Sequence, residues 1–325
     1  MKLMVERNKI LELEIGSHLY GTNTPESDKD YSGIFVADPK YYFGLQKIEE
    51  VDMSIVSKDE NGKNDKDAID IKFYEVRKFV KLALDNNPNI IEQLFTPKPI
   101  FTNSFGNLLL SNAHLFPHKG CAAKFLGYAK SQLHKMRIKP ENYTNLKDFY
   151  AWLDYNVISE ETSLFTPTQL LAEMRYVPGL KNIVKFQAHH AQVGDLNISL
   201  THKLSKVVSI VYERLSKVTN REELYTKYGY DTKFGMHLIR LMFEGIDLLN
   251  YGKLIFPLPT WQRDSLMDIR NGKWSMDSVI TYAEELEIHL KDLENESKLP
   301  NEPRTEEIDD LLIKIVKLNH MLHER

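Results

Sequence analysis

The sequence has one cysteine among its 325 residues, Cys121. A single thiol excludes an intramolecular disulfide framework, a multi-cysteine zinc site and a CxxC redox pair. No run approaches the roughly 18 apolar residues of a membrane-spanning helix. The opening segment MKLMVERNKILELEIGS carries charges throughout, which is untypical of a secretory signal. We therefore expect a cytoplasmic protein that does not interact with a membrane.

Acidic residues are missing from one long stretch. Residues 93–140, 48 positions in all, contain no Asp or Glu, although the chain has 46 acidic residues and a formal charge of −4. We predict that part of this stretch faces phosphate groups. The alternative is a solvated surface whose balancing acids lie elsewhere in the fold. The cations of the stretch are Lys98, Lys119, Lys124, Lys130, Lys135, Arg137 and Lys139.

Hydrophobic periodicity predicts a small α/β head followed by a larger helical body. ILELEIG, YSGIFVAD and AIDIKFY alternate or are rich in β-branched and aromatic residues, which predicts strands. A polar loop is expected over 51–68, and two helices over the segment EVRKFVKLALDNNPNIIEQLF. Residues 174–202 break the later helical pattern and are read as either strands or irregular loops. The helices predicted beyond residue 103 span 104–113, 119–137, 145–158, 166–174, 203–218, 231–250, 275–295 and 305–324.

The predicted fold class is therefore α+β, with a small mixed sheet and flanking helices preceding a mostly helical domain. The two prolines of TPKPIFTN, residues 96–103, suggest a domain boundary there. We expect a catalytic head over 1–100 and a helical domain over 101–325 that completes a cleft. The amphipathic C-terminal segment is expected to pack on the body, with a homodimer face as a further possibility.

Two aspartates, Asp28 and Asp30, flank one lysine at the start of the second predicted strand. If that strand begins at Ser27 or Asp28, both carboxylates point to the same face. Such a pair is costly unless the two share a cation, and Mg²⁺ is typically held by one or two carboxylates plus substrate phosphates. Asp70, flanked by two isoleucines in another predicted strand, would supply a third carboxylate.

A Gly-Ser pair, Gly16 and Ser17, follows the first predicted strand. A glycine at a strand end allows the backbone to approach a phosphate closely. The following N–H groups and the Ser17 hydroxyl can then donate to phosphate oxygens. Each motif alone is weak evidence for a phosphate or metal site. Together, in this order and at this spacing, they are stronger evidence.

The stretch GSHLYGTNTPESDKDYSGIFV, followed by a later strand aspartate, resembles the DNA polymerase β-like nucleotidyltransferase superfamily. It is similar to the YcgL/RlaP subfamily of nucleotidyltransferases, which has GS-x-x-YG followed by SD-x-D-x-x-G. Residues 124–136, 228–253 and 299–312 also look like this subfamily.

The resemblance implies a nucleotidyltransferase head that transfers NMP from an NTP to a hydroxyl with release of pyrophosphate. Asp28, Asp30 and Asp70 would hold two Mg²⁺ ions, with Mn²⁺ as a substitute, and Asp70 could accept the proton of the attacking hydroxyl. Gly16, Ser17 and Ser27 would contact the nucleotide. The acceptor is expected to be an RNA end.

Three other functions stay open at this point. The same chemistry could modify a protein side chain, or the fold could be a catalytically silent module that binds nucleotide or RNA. A two-metal hydrolase would normally have histidine ligands beside the aspartates, and only His18 is close in sequence.

Residues of the helical body are further candidates. Lys124, Lys130 and Tyr128 lie on one predicted helix, where a lysine could neutralise the triphosphate and the tyrosine could stack on the base; the alternative is a basic, solvated face. Lys233, His237 and Arg240, at i, i+4 and i+7 of a later helix, could bind an acceptor phosphate. The alternative there is a solvated face with a partly packed histidine, and Asp231 is expected to cap that helix.

Overall fold

The computed structural model describes residues 1–25, 27–55, 69–137, 140–159, 161–218 and 222–323. The chain forms two compact units, Met1–Gln132 with Met236–Arg325, and Leu133–Gly235. The segment 96–103 lies inside the first unit, so the units do not separate at the predicted boundary. Most of the loop predicted over 51–68 lies outside the described residues.

A five-stranded sheet lies in the first unit, in the order β3-β4-β2-β1-β5. β2 and β4 are parallel, and the other neighbouring pairs are antiparallel. This mixed sheet, with helices around it, confirms the predicted α+β class. The strands are β1 (Lys9–Ile15), β2 (Asp30–Phe35), β3 (Glu50–Asp52), β4 (Asp70–Glu75) and β5 (Phe101–Thr102).

Close packing fixes β2 against β4. Gly33 in β2 is paired with Phe73 in β4, and a Cβ atom at Gly33 would lie 2.1 Å from Cε1 of Phe73. Phe73 is buried with Phe35, Val5 and Val51 in an apolar cluster on this face of the sheet. Only glycine leaves room for the Phe73 ring at this position, and the ring in turn holds the register of the two parallel strands.

Helices make up most of the remaining chain. The long segments predicted from apolar periodicity are confirmed as helices, except that 166–174 gives way to a 3₁₀ turn over Leu171–Tyr176. Two helices beyond residue 103, Glu222–Tyr228 and Thr260–Arg270, were not predicted. Among the described residues, no helix combines the length and the apolar character needed to cross a bilayer. The helices are α1 (Lys2–Asn8), α2 (Ser17–Tyr20), α3 (Lys40–Phe43), α4 (Val76–Leu84), α5 (Pro88–Ile91), α6 (Ser104–Ser111), α7 (Cys121–Met136), α8 (Pro140–Leu153), α9 (Leu204–Val218), α10 (Glu222–Tyr228), α11 (Thr232–Tyr251), α12 (Thr260–Arg270), α13 (Met276–Glu296) and α14 (Thr305–His323).

The second unit has its own core. Apolar residues of α8 and α9, among them Phe149 and Val207, pack with Ile198 of a three-stranded sheet. Residues 174–202 form both strands and 3₁₀ turns. The sequence pattern had allowed either strands or irregular loops there. Its strands are β6 (Lys185–Phe186), β7 (His190–Val193) and β8 (Leu196–Ser199).

Candidate functional site

The Gly-Ser pair forms a sharp turn between β1 and α2. Gly16 has φ 69° and ψ −145°, a backbone conformation that is almost restricted to glycine. A Cβ atom at Gly16 would lie 2.9 Å from Oδ2 of Asp30. Ser17 is the first residue of α2, and its carbonyl accepts from the Thr22 N–H at 2.9 Å. Ser17 therefore follows directly after a glycine whose backbone is in close contact with the Asp30 carboxylate.

Asp30 and Asp70 are the first residues of two neighbouring parallel strands. They are paired in register, so their side chains leave the sheet on the same face, from strands about 4.8 Å apart. The Ser54 hydroxyl donates to Oδ1 of Asp70 at 3.1 Å and accepts from the Ile71 N–H at 3.1 Å. Asp70 therefore lies on the strand next to that of Asp30, and its part in a metal site stays a prediction.

Asp28 occupies a different position from the one that strand alternation suggested. β2 begins at Asp30, not at Ser27 or Asp28, so Asp28 lies in the exposed approach to the strand. Its orientation is therefore not set by the sheet. Ser27 closes a local turn, because its hydroxyl accepts from the Thr24 N–H at 2.8 Å.

The donor chemistry of the site suits a hard cation. Asp30, Asp70 and Ser17 offer oxygen atoms, which Mg²⁺ prefers, and Mg²⁺ usually takes one or two protein carboxylates and completes its shell with water and substrate phosphates. Across the described ranges, no three His, Cys, Asp or Glu side chains are gathered into a complete metal-binding group. Asp30 and Asp70 lie at the N-terminal ends of the neighbouring strands β2 and β4, so they provide two of the oxygen ligands that such a cation would need.

A buried ionic network anchors α2. The Tyr20 hydroxyl donates to Glu92 at 2.9 Å, and the Arg240 guanidinium pairs with Glu92 at 3.1 Å and with Glu244 at 2.7 Å. Arg240 also stacks on the Tyr20 ring, with Cζ 4.1 Å from the ring centroid. The last residue of α2, four positions after Gly16, is thus tied to the interior of the first unit.

Burial controls the protonation of this network. It raises the pKa of the Glu92 and Glu244 carboxyls and of the Tyr20 hydroxyl, because the charged forms are poorly solvated there. The positive charge of Arg240 acts in the opposite direction on all three. Because these buried groups interact strongly, they titrate together as one set.

Arg240 is therefore not on an exposed basic stripe. It is 5% exposed and its charge is taken up by two carboxylates, so it is not available to bind an acceptor phosphate. Lys233 is exposed in the first turn of α11, and His237 is half-buried. Asp231 caps this helix as expected, since its carboxylate accepts from the N–H groups of Lys233 and Phe234.

Lys124 and Tyr128 line a common cavity of about 350 Å³ along α7, together with Ser131. Lys124 pairs with Asp85, and the Tyr128 hydroxyl accepts from the Asn87 side-chain amide at 2.8 Å.

Lys130 does not line this cavity. It pairs with Glu287 at 3.1 Å. Both Lys124 and Lys130 thus find balancing acids outside the acid-free stretch, as its alternative interpretation expected.

Sequence reasoning missed Tyr20, Glu92, Glu244 and Ser54. Arg240 and Glu244 are four residues apart on one helix, so their ion pair could have been read from the sequence. Tyr20 is the tyrosine of the GS-x-x-YG motif, but the motif alone did not indicate its ionic partners. Glu92 lies 148 residues from Arg240, and no local pattern reports so distant a contact.

Residues 6–155 match the family described as the RNA repair pathway DNA polymerase beta family, RlaP. This match agrees, for this part of the chain, with the resemblance drawn from the sequence. The similar segments 228–253 and 299–312 lie outside the matched residues.

Two further proteins are similar over most of the chain. A protein of Enterobacteria phage T4, described as an uncharacterized 38.9 kDa protein in the nrdC-mobD intergenic region, is 25% identical over 305 residues, which cover 85% of this chain and 87% of that protein. A crystal structure of a nucleotidyltransferase-like protein from Exiguobacterium sibiricum has 9% identity and covers 91% of this chain and 71% of its own, with a TM-score of 0.26. A TM-score that low does not establish a shared fold.

Proposed function

Because residues 6–155 match the RNA repair pathway DNA polymerase beta family, we propose that the chain is a nucleotidyltransferase that moves NMP from an NTP to the hydroxyl of an RNA end, releasing pyrophosphate. The observation that supports this most directly is the in-register pair of Asp30 and Asp70, with Gly16 against the Asp30 carboxylate. Metal-assisted phosphoryl transfer uses carboxylates that would hold the cation beside the phosphate, and Asp30 lies against the turn of Gly16 and Ser17.

Each residue has a distinct part in the proposed reaction. Asp28, Asp30 and Asp70 hold Mg²⁺ through their carboxylate oxygens. When bound, the cation offsets the negative charge of the triphosphate and of the leaving pyrophosphate. Ser17 and the backbone N–H groups of the turn orient the terminal phosphates. Asp70 accepts the proton of the acceptor hydroxyl.

Other residues have supporting parts in the proposal. Ser27 closes the turn that carries Asp28 towards the site. Lys124 and Tyr128 contact the nucleotide. Lys130, Lys233 and His237 are separate candidates for contacts with acceptor phosphates. Arg240 has no contact with the acceptor in this proposal, because its side chain is buried.

The test is transfer of label from each α-labelled NTP, with Mg²⁺ or Mn²⁺, in the presence and absence of total RNA. Label that appears on RNA supports the proposal. Label that appears on polypeptide would replace it with modification of a protein side chain. NTP binding without transfer to any acceptor would indicate a catalytically silent module.

A further inference from the structure

A second cavity of about 700 Å³ lies in the first unit, away from the carboxylate pair. It includes Glu75 and Arg77, at the junction of β4 and α4, whereas Asp70 begins β4. Five residues of extended strand separate Glu75 from Asp70, a distance of about 17 Å. Nothing in the proposed transfer reaction uses this cavity.

Three lysines surround a single carboxylate on the wall of the cavity. Lys78 pairs with Glu49 at 2.9 Å. The pKa of Glu49 is lowered, first by this hydrogen bond and then by the charges of Lys78, Lys81 and Lys47. Among the described residues, no carboxylate forms an ion pair with Lys47 or Lys81, and both side chains are exposed. The wall therefore carries more positive charge than Glu49 can balance.

The other acids of the cavity have their own cations. Glu75 is buried, accepts from the Tyr42 hydroxyl and pairs with Arg77 at 3.2 Å. Asp85 pairs with Lys124 of α7. Glu75 and Asp85 therefore do not neutralise the positive charge of Lys47 and Lys81.

His118 does not add to the ionic surface. Its Nδ1 accepts from the Gly120 N–H at 3.2 Å, which leaves Nε2 to donate to the Leu84 carbonyl at 3.0 Å. Both ring nitrogens are occupied by backbone groups, so this histidine has a structural role at the cavity.

Two tyrosine rings, Tyr41 and Tyr42, line the cavity beside the lysines. The Arg77 guanidinium stacks on the Tyr42 ring, with Cζ 3.9 Å from the ring centroid, and donates to the Tyr41 carbonyl at 3.1 Å. Tyr41 also lines the cavity, and Lys40 Nζ lies 5.0 Å from its ring centroid. Both tyrosines are half-buried, because they pack on one side against the apolar cluster of the sheet and line the cavity on the other.

We propose that this cavity binds a single-stranded RNA segment of the acceptor, with phosphates on Lys47, Lys78 and Lys81 and a base against Tyr41 and Tyr42. Aromatic rings interleaved with cations are the combination that binds single strands with little base preference. The proposal rests on the proposed function for the choice of RNA. It adds a binding site about 17 Å along the sheet from the carboxylates.

The test is the affinity of the full chain for a short fluorescein-labelled single-stranded RNA, measured by fluorescence anisotropy over a series of salt concentrations. The variant carries Lys47→Ala with Lys81→Ala. Its matched control carries Lys253→Ala with Lys298→Ala, two exposed lysines that do not line the cavity. All four side chains are on the surface, so we expect every variant to fold.

We expect the cavity variant to raise the Kd for RNA roughly tenfold and to reduce the slope of log K against log salt by about 1.4, which corresponds to two lost phosphate contacts on a single strand. The control should change neither value. Equal behaviour of the two variants would overturn the proposal. A weaker Kd for labelled ATP with an unchanged Kd for RNA would also overturn it, because the cavity would then take a free nucleotide.

Photocrosslinking provides a second measurement that does not depend on substitutions. RNA that carries thiouridine should crosslink to the peptide containing Tyr41 and Tyr42, as mapped by mass spectrometry. Crosslinks found only in other peptides would contradict the proposed site. Both experiments measure RNA binding alone, so their results do not depend on whether the chain has transferase activity.

Discussion

At the scale of single residues, Gly16 determines how the candidate site is built. Its backbone conformation and the 2.9 Å separation of a built Cβ from Oδ2 of Asp30 leave no room for a side chain. The carboxylate therefore lies against the turn that carries Ser17. A substitution at this position should strain the backbone and displace Asp30 at the same time.

We expect Gly16→Ala to lower the free energy of unfolding by about 1–3 kcal/mol and to reduce NMP transfer. The measurement is urea denaturation followed by circular dichroism, together with the labelled-NTP assay. A matched control for the unfolding measurement is Gly127→Ala in α7, where a Cβ would meet nothing within 4 Å. That control should stabilise the chain by about 0.5–1 kcal/mol, since alanine is the better helix former. Similar effects at both glycines would contradict the geometry assigned to Gly16.

Some residues of the site could be read from the sequence and others could not. The positions of Gly16, Asp30 and Asp70 followed from motif order and strand alternation, because both depend on local geometry. The assignment of Arg240 to an exposed stripe failed because helical periodicity gives a face, and the burial of that face depends on Glu92 far away in sequence.

At the scale of secondary-structure elements, the buried network connects three segments that are distant in the chain. Tyr20 ends α2, Glu92 begins a 3₁₀ turn, and Arg240 and Glu244 lie in α11. Removing one charge from such a network leaves another buried without a partner, which is strongly destabilising. The network therefore holds α2, and with it the Gly-Ser turn, against the rest of the first unit.

The protonation of Glu244 predicts a dependence of stability on pH. Burial raises the pKa of Glu244 from 4.5 to about 8, against the charge of Arg240 and with a smaller contribution from Glu92. The folded state then binds this proton more tightly than the unfolded state. Stability from this group is present below about pH 4.5 and is lost as the pH rises to about 8, by at most about 1.4 kcal/mol per pH unit.

Replacing Glu244 by Gln removes this titration and keeps an oxygen acceptor for Arg240. We expect Glu244→Gln to lose less stability than the unchanged chain between pH 5 and pH 8, measured by urea denaturation at each pH. Glu284→Gln, at an exposed position of α13, is the matched control and should follow the unchanged chain. Parallel curves for all three proteins would show that Glu244 does not hold a proton in the folded state.

Long periodic elements were predicted well, and short ones were not. β1, β2 and β4 have six or seven residues, enough for alternation to be visible. β3 and β5 have three and two residues, too few for a period. The orientation expected for Asp28 depended on a start of β2 at Ser27 or Asp28, and the strand begins two to three residues later, at Asp30.

At the scale of the whole molecule, the mildly negative net charge conceals a local excess of cations. The acid-free stretch contributes lysines that pair with acids from other segments, as Lys124 does with Asp85 and Lys130 with Glu287. The surplus lies instead at Lys47, Lys78 and Lys81, where three lysines face one glutamate. Sequence composition could not locate this surplus, because Glu49 and the lysines come together only in the folded chain.

The central claim is that the Asp30–Asp70 pair carries nucleotidyl transfer. The measurement that tests it most directly is the rate of transfer from α-labelled NTP to RNA in Asp30→Asn and in Asp70→Asn, with Asp292→Asn on the exposed surface of α13 as the control. We predict that both site variants stay folded and lose about a hundredfold or more of the rate, while the control keeps it. Near-full activity in either folded site variant would contradict the account.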